Sequence, residues 1–114
     1  MMPEPAAATQ PTIATLPNLR GEFIAWTLEG QAVGAWRALG GFPHKTFLIA
    51  PGAAHVRLEG SNDQTHVGEL LDTLALPIKG AGIYPVEAHV LWVRPVNLGA
   101  APVVVQVIAY REGL

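Results

Sequence analysis

Cysteine is absent from the 114 residues of this chain, so neither disulfides nor thiolate metal sites contribute to its fold. Charge is scarce too: Asp, Glu, Lys and Arg make up 14% of the residues, against roughly 25% in an average soluble domain. The seven basic residues (Arg20, Arg37, Lys45, Arg57, Lys79, Arg94 and Arg111) stand singly, and the formal charge is −2. No basic stripe exists to neutralise a row of phosphates, which argues against a nucleic-acid partner. No run approaches the ~18 apolar residues of a membrane-spanning helix, so no membrane partner is expected. The first residues show neither the basic region nor the apolar stretch of a signal peptide. A protein made in a cytoplasm, and used or assembled into a particle there, is the expectation. Serine occurs once, as Ser61, outside any Gly-x-Ser-x-Gly context, and the chain is not expected to be an enzyme.

What is present is apolar. Hydrophobic residues reach 50%, and the mean hydropathy is +0.30. A lone domain of this size needs more charge to cover itself, whereas a subunit that hides faces in neighbours does not. A homo-oligomer follows as the expectation.

Residues 1–19 differ from the rest, with Pro3, Pro5, Pro11 and Pro17 among Ala and Thr and Glu4 as the one acidic residue. Proline fixes φ and removes a donor, so this stretch reads as an extended arm, unable to be a helix or a central strand. Ile13 and Leu16 are its apolar anchors, suited to adding the arm to a neighbour's sheet, and with Leu19 they are candidate interface residues. Residues 20–114 read as one domain of short strands at 22–28, 32–39, 45–50, 55–59, 69–76, 86–94 and 103–110. Gly30, Gly40-Gly41, Pro51-Gly52, Gly60 and Gly80-Ala-Gly82 fall between them. Such spacing indicates an all-β antiparallel β-sandwich, jelly-roll-like or a small Greek-key barrel, with an extended N-terminal arm. Residues 69–76 also have helical spacing at Leu70, Leu71 and Leu74, but Gly68, Thr73 and Pro77 favour a strand.

The last strand is apolar on both faces. Val103, Val105, Val107 and Ala109 form one; Val104, Gln106, Ile108 and Tyr110 form the other. A two-layer sandwich buries only one face of each strand. The second face therefore needs a cover, from a neighbouring subunit or from the same chain's loops or arm. Val104, Ile108 and Tyr110 become candidate interface residues. Trp36, beside Gly34, Ala35 and Arg37, joins them, while Trp92 in line with Val90 is expected in the core.

Two segments carry a resemblance. Val56-Arg-Leu-Glu-Gly-Ser-Asn-Asp63 reads as a strand that stops in a polar turn, with Asn62 and Asp63 setting hairpin geometry by Asx-type bonds. Val90-Leu-Trp-Val-Arg-Pro-Val-Asn97 and Pro102-Val-Val-Val-Gln-Val-Ile-Ala-Tyr110 read as two strands joined through Gly99. Over about residues 54–110 this combination resembles small head decoration (cement) proteins of tailed bacteriophages. The turn departs from the family pattern, with Gln64 and Val67 near the places of a Gly and an aromatic. The resemblance implies a structural virion protein on the outer capsid surface, assembled in the host cytoplasm. It also implies a major capsid protein as partner and an oligomer, a trimer in the first instance. Head–tail connector or tail structural proteins share the grammar, as do discoidin-like carbohydrate-binding sandwiches, for which Trp26, Trp36 and Trp92 would supply a stacking platform.

No cofactor is expected. His44, His55, His66 and His89 lack metal-binding spacing. Pro51-Gly-Ala-Ala-His55 is similar to the second metal motif of cupins, but the earlier His-x-His with a Glu that such a site also needs is missing. The carboxylate pairs Glu69/Asp72 and Glu59/Asp63 read as turn and edge residues. Arg94, ahead of Pro95, reads as a rim ion-pair partner.

Overall fold

A computed structural model describes residues 8–17, 20–50 and 55–111. Nine strands are present among them: β1 (Thr12–Leu16), β2 (Gly21–Leu28), β3 (Arg37–Ala38), β4 (His44–Ile49), β5 (Val56–Ser61), β6 (Val67–Glu69), β7 (Gly82–Val86), β8 (Trp92–Asn97) and β9 (Val103–Tyr110). They form two antiparallel sheets, five-stranded β1-β2-β9-β4-β7 and four-stranded β3-β8-β5-β6. The hairpins are nested: β2 pairs with β9, β3 with β8, β4 with β7 and β5 with β6. One long hairpin rolled onto itself gives this order, the jelly-roll arrangement of a β-sandwich. The expected fold class is the observed one.

The core lies between the sheets. Ile24, Trp26 and Leu28 of β2, Phe47 and Ile49 of β4, and Val105 and Val107 of β9 face Val56, Leu58 and Val93 of the other sheet, all at most 1% exposed. Trp26 is the largest of these, and its Nε1–H donates to the Ala35 carbonyl at 3.2 Å. At the β2–β3 side Gly34 passes so close to Pro95 and Trp26 that a Cβ there would meet Pro95 Cδ at 2.7 Å. The Arg37–Glu22 ion pair joins the two sheets near the same side.

Strand β1 is the described part of the expected arm. It pairs along its full length with β2 of its own chain, Thr12 opposite Ala25 through Leu16 opposite Gly21. Ahead of it, Thr9 bonds Val33 and Ala35 beside the other sheet, so this segment straps one open side of the sandwich. A Pro-flanked stretch suits an edge, where one side of the backbone needs no partner.

Three expected strands change. Residues 32–39 form a named strand only at Arg37–Ala38; ahead of it the pairing with β8 is broken up, with an isolated bridge from Val33 to Val96 and Gly34 N–H donating to the Pro95 carbonyl. Residues 69–76 are neither strand nor helix. β6 ends at Glu69, and Asp72 Oδ1 then accepts the N–H groups of Leu74 and Leu76, closing a turn in which Ala75 has φ 61°. Residues 86–94 are not one strand, because the chain leaves the five-stranded sheet after Val86 and enters the four-stranded sheet at Trp92. Alternating apolar residues look the same in a strand and in a segment crossing between two sheets.

Candidate functional site: an uncharged sheet face

Strand alternation decides which residues point away from the core. With Val103, Val105, Val107 and Ala109 buried inward, β9 presents Val104, Gln106, Ile108 and Tyr110 outward. Register then places Phe23 and Ala25 of β2, Thr46 and Leu48 of β4, Ile83 and Pro85 of β7, and Ala14 and Leu16 of β1 on the same outer face. One row across the sheet reads Thr12, Ala25, Gln106, Leu48, Ile83. The next reads Ala14, Phe23, Ile108, Thr46, Pro85. No Asp, Glu, Lys or Arg occurs on this face among the described residues. Ile83 is 68% and Ile108 37% exposed, and His44 stacks on Tyr110 at one end with ring centroids 5.1 Å apart.

Four of the seven candidate interface residues therefore meet: Leu16, Val104, Ile108 and Tyr110. Ile13 pairs with Ile24 and so points to the opposite side of the sheet, where it is 47% exposed at the edge. Leu19 lies outside the described residues. Trp36 belongs to the other sheet's surroundings, half-buried under Arg94, whose guanidinium carbon sits 4.2 Å from the Trp36 ring centroid. Phe23, Leu48 and Ile83 complete the face. Their signal in the sequence was a bulky apolar residue on the side of a strand opposite the core residues Ile24 and Phe47.

The outer face of the four-stranded sheet is different. Glu59, 6% exposed, receives Arg94 Nε at 2.8 Å and Arg57 at 2.9 Å. Arg94 is thus the centre of a part-buried stack, Trp36–Arg94–Glu59, and not a rim partner. Trp92 is half-buried two residues from Arg94 on that same outer face; the inward residue there is Val93. Trp26 is in the core, so the three tryptophans do not share a platform.

The turn after β5 is a closed hydrogen-bond set. Ser61 Oγ donates to the His66 carbonyl at 2.6 Å and accepts Gln64 N–H at 2.8 Å. Asp63 Oδ1 accepts the N–H groups of Thr65 and His66, its Oδ2 meets His66 Nδ1 at 2.7 Å, and Asn62 Oδ1 accepts Leu91 N–H. The side-chain bond to His66, then the backbone donors, hold the Asp63 carboxyl well below the usual carboxylate range. Ser61 and Asp63 thus serve the hairpin, and Asn62 ties it to the segment ahead of β8.

A cleft of about 410 Å³ lies beside β6, lined by Gly60, Leu70 and Val90 with the carboxylates of Glu69, Asp72 and Glu87. One oxygen of Asp72 is already committed to its turn. Among the described residues no three His, Asp or Glu side chains gather as a metal site would require, and His55 is exposed. Residues 51–54 of the cupin-like motif lie outside the described residues.

The fold has solved counterparts. A cupin domain of Schizosaccharomyces pombe Cnp3 is similar over 90% of this chain and 60% of its own length, with TM-score 0.55 and 9% identity. A cupin domain from Bordetella pertussis is similar over 96% of this chain and 100% of its own, with TM-score 0.55 and 11% identity. The chain thus spans less than two thirds of the Cnp3 domain. At these identities the likeness is one of fold. No family model matches the sequence, and no curated protein matches it.

Proposed function

We propose that this chain is a structural protein of tailed-bacteriophage heads, which oligomerises and decorates the outer capsid surface over the major capsid protein. The observation that carries the reading is the uncharged outer face of the five-stranded sheet, which gathers Leu16, Val104, Ile108 and Tyr110 with Phe23, Leu48 and Ile83. A face this wide and this poor in charge marks an interaction surface. The resemblance of the 56–63 turn and the Trp92-Val-Arg-Pro95 strand to head decoration proteins supplies the setting. In the fold those two segments lie side by side as β5 and β8, joined by Glu59 and Arg94. A place at the head–tail junction or in the tail would use the same surface.

The test is co-sedimentation of purified protein with capsids lacking decoration. Saturable binding is expected, with a gain in the heat resistance of the particles. Protein that stays in the supernatant at tens of micromolar would remove the reading.

One observation favours a second reading, a carbohydrate-binding sandwich: Trp36 lies under Arg94, and Trp92 stands two residues from Arg94 on the outer face of the four-stranded sheet. Arg94 already covers Trp36, which leaves less ring for a sugar to stack on. Glycan-array binding lost in Trp92→Ala would promote this reading over decoration.

A further inference from the structure

We propose that the outer face of the five-stranded sheet is a two-fold contact with a second copy of this chain, the axis running parallel to β9. This rests on the reading above that the chain works as an oligomer, and it makes the unit a face-to-face pair where the sequence pointed to a trimer.

Size is the first argument. Five strands at ~4.8 Å spacing and an eight-residue β9 at ~3.4 Å per residue give a face of roughly 19 by 27 Å. That flat footprint of roughly 500 Å², before side-chain relief and flanking loops are counted, approaches the ~800 Å² per partner of a stable interface.

Charge is the second. In an isologous contact, residues near the axis face their own copies, so any charge there would meet its like. A face without Asp, Glu, Lys or Arg meets that condition, whereas nothing on it selects a charged partner. Gln106, on the central strand, would face its twin, and a side-chain amide carries both a donor and an acceptor for such a meeting.

Shape is the third. An axis parallel to β9 reverses the order of strands across the interface while leaving position along them unchanged. Bulky residues are then set against small ones: Leu48 against Ala25 of the second copy, Ile83 against Thr12, Phe23 against Thr46. Ile108 comes against Ile108. Interdigitation of large and small side chains is what two packed sheets require. Strand β1 lies beside β2 and not over it, so this part of the arm leaves the face open.

The experiment is light scattering on the full chain at micromolar concentration. The wild type is expected at twice the 12.1 kDa chain mass. Ile108→Lys alone and Ile108→Asp alone are each expected as monomers, and their equimolar mixture should return to the doubled mass. Recovery in the mixture also shows that both variants are folded. Should a charged variant fail to fold, Ala25→Leu serves in its place, weakening the pair at least tenfold, with Leu48→Ala in the same chain restoring it. A wild-type monomer or trimer, charged variants that remain paired, or a folded mixture that stays monomeric would each overturn the proposal. A wild-type monomer that binds capsids assigns the face to the capsid and leaves decoration standing. A monomer that does not take up an apolar dye assigns it to another segment of its own chain. A pair that ignores capsids removes decoration and leaves the two-fold contact standing.

Discussion

Glu59 and Arg94 are register partners on β5 and β8, and the guanidinium that reaches Glu59 at 2.8 Å also lies against the ring of Trp36. Glu59 is 6% exposed, so its charge depends on Arg94 and Arg57 for compensation. Taking away one partner of a buried ion pair costs more than the pair contributes. Arg94→Met should lower stability by about 2 kcal/mol, less than the full penalty because Arg57 remains. Adding Glu59→Gln should restore part of that loss. Urea unfolding of the two single variants and the double variant measures the coupling.

The Asp63 turn carries a pH signature. A carboxyl depressed by its partners contributes stability that is complete above its unfolded value near ~3.9 and is lost as pH falls through the folded value. In Asp63→Asn the amide oxygen can still accept the Thr65 and His66 N–H groups, so the charge is what is lost. The variant should melt lower than the parent at neutral pH, and the gap should begin to narrow once pH falls below about 4 and shrink further with more acid. A gap independent of pH would show that the carboxylate does not hold the turn. Capsid binding should be unchanged, since the turn lies on the other sheet.

Residues 1–17 should matter to the free domain. Their removal bares one edge of β2 from Gly21 to Ala25 and cuts the Thr9 strap to Val33 and Ala35. Each lost backbone bond is worth ~1 kcal/mol net, offset by the ordering entropy of the segment, so a loss of about 1–3 kcal/mol is expected. The bared β2 edge should also promote aggregation. Equal urea midpoints for truncated and full chains would mean that β1 only rests on the sheet.

Trp26→Phe tests the core. It leaves the space of the lost ring and the Ala35 carbonyl without its 3.2 Å donor. A cost of about 2–3 kcal/mol follows, read as a lower urea midpoint with the slope unchanged.

Much of this protein was legible along the chain. Strand β9 stands where its valines and flanking Pro102 placed it, two-sided as its alternation required. Within the 60–63 turn Ser61 and Asp63 bond locally as expected, because Asx and Ser turns are made by neighbours in sequence, whereas Asn62 reaches across to Leu91 N–H instead. The sandwich followed from the spacing of breaks. Other features depended on residues far apart. Trp92 alternates with Val90 as a core residue would, yet the sheet crossing between β7 and β8 turned Val93 inward in its place. Asn97, at the end of its strand, is 1% exposed, a burial its polar side chain did not signal. Its Nδ2 donates to the Glu29 and Ala101 carbonyls and its Oδ1 accepts Gly99 N–H, tying two connections together from the interior.

The sequence by itself determined the sandwich class, the local closure of the turn at Ser61 and Asp63 and that β9 would be apolar on both sides, since these depend on local dihedrals and a period of two. Only the tertiary structure decided which second faces line up. Leu16, Phe23, Leu48, Ile83 and Ile108 come from five strands, and nested hairpins bring them onto one uncharged surface. Register between strands distant in the chain is set by the whole core at once, because a shift of one residue would turn every side chain to the other face.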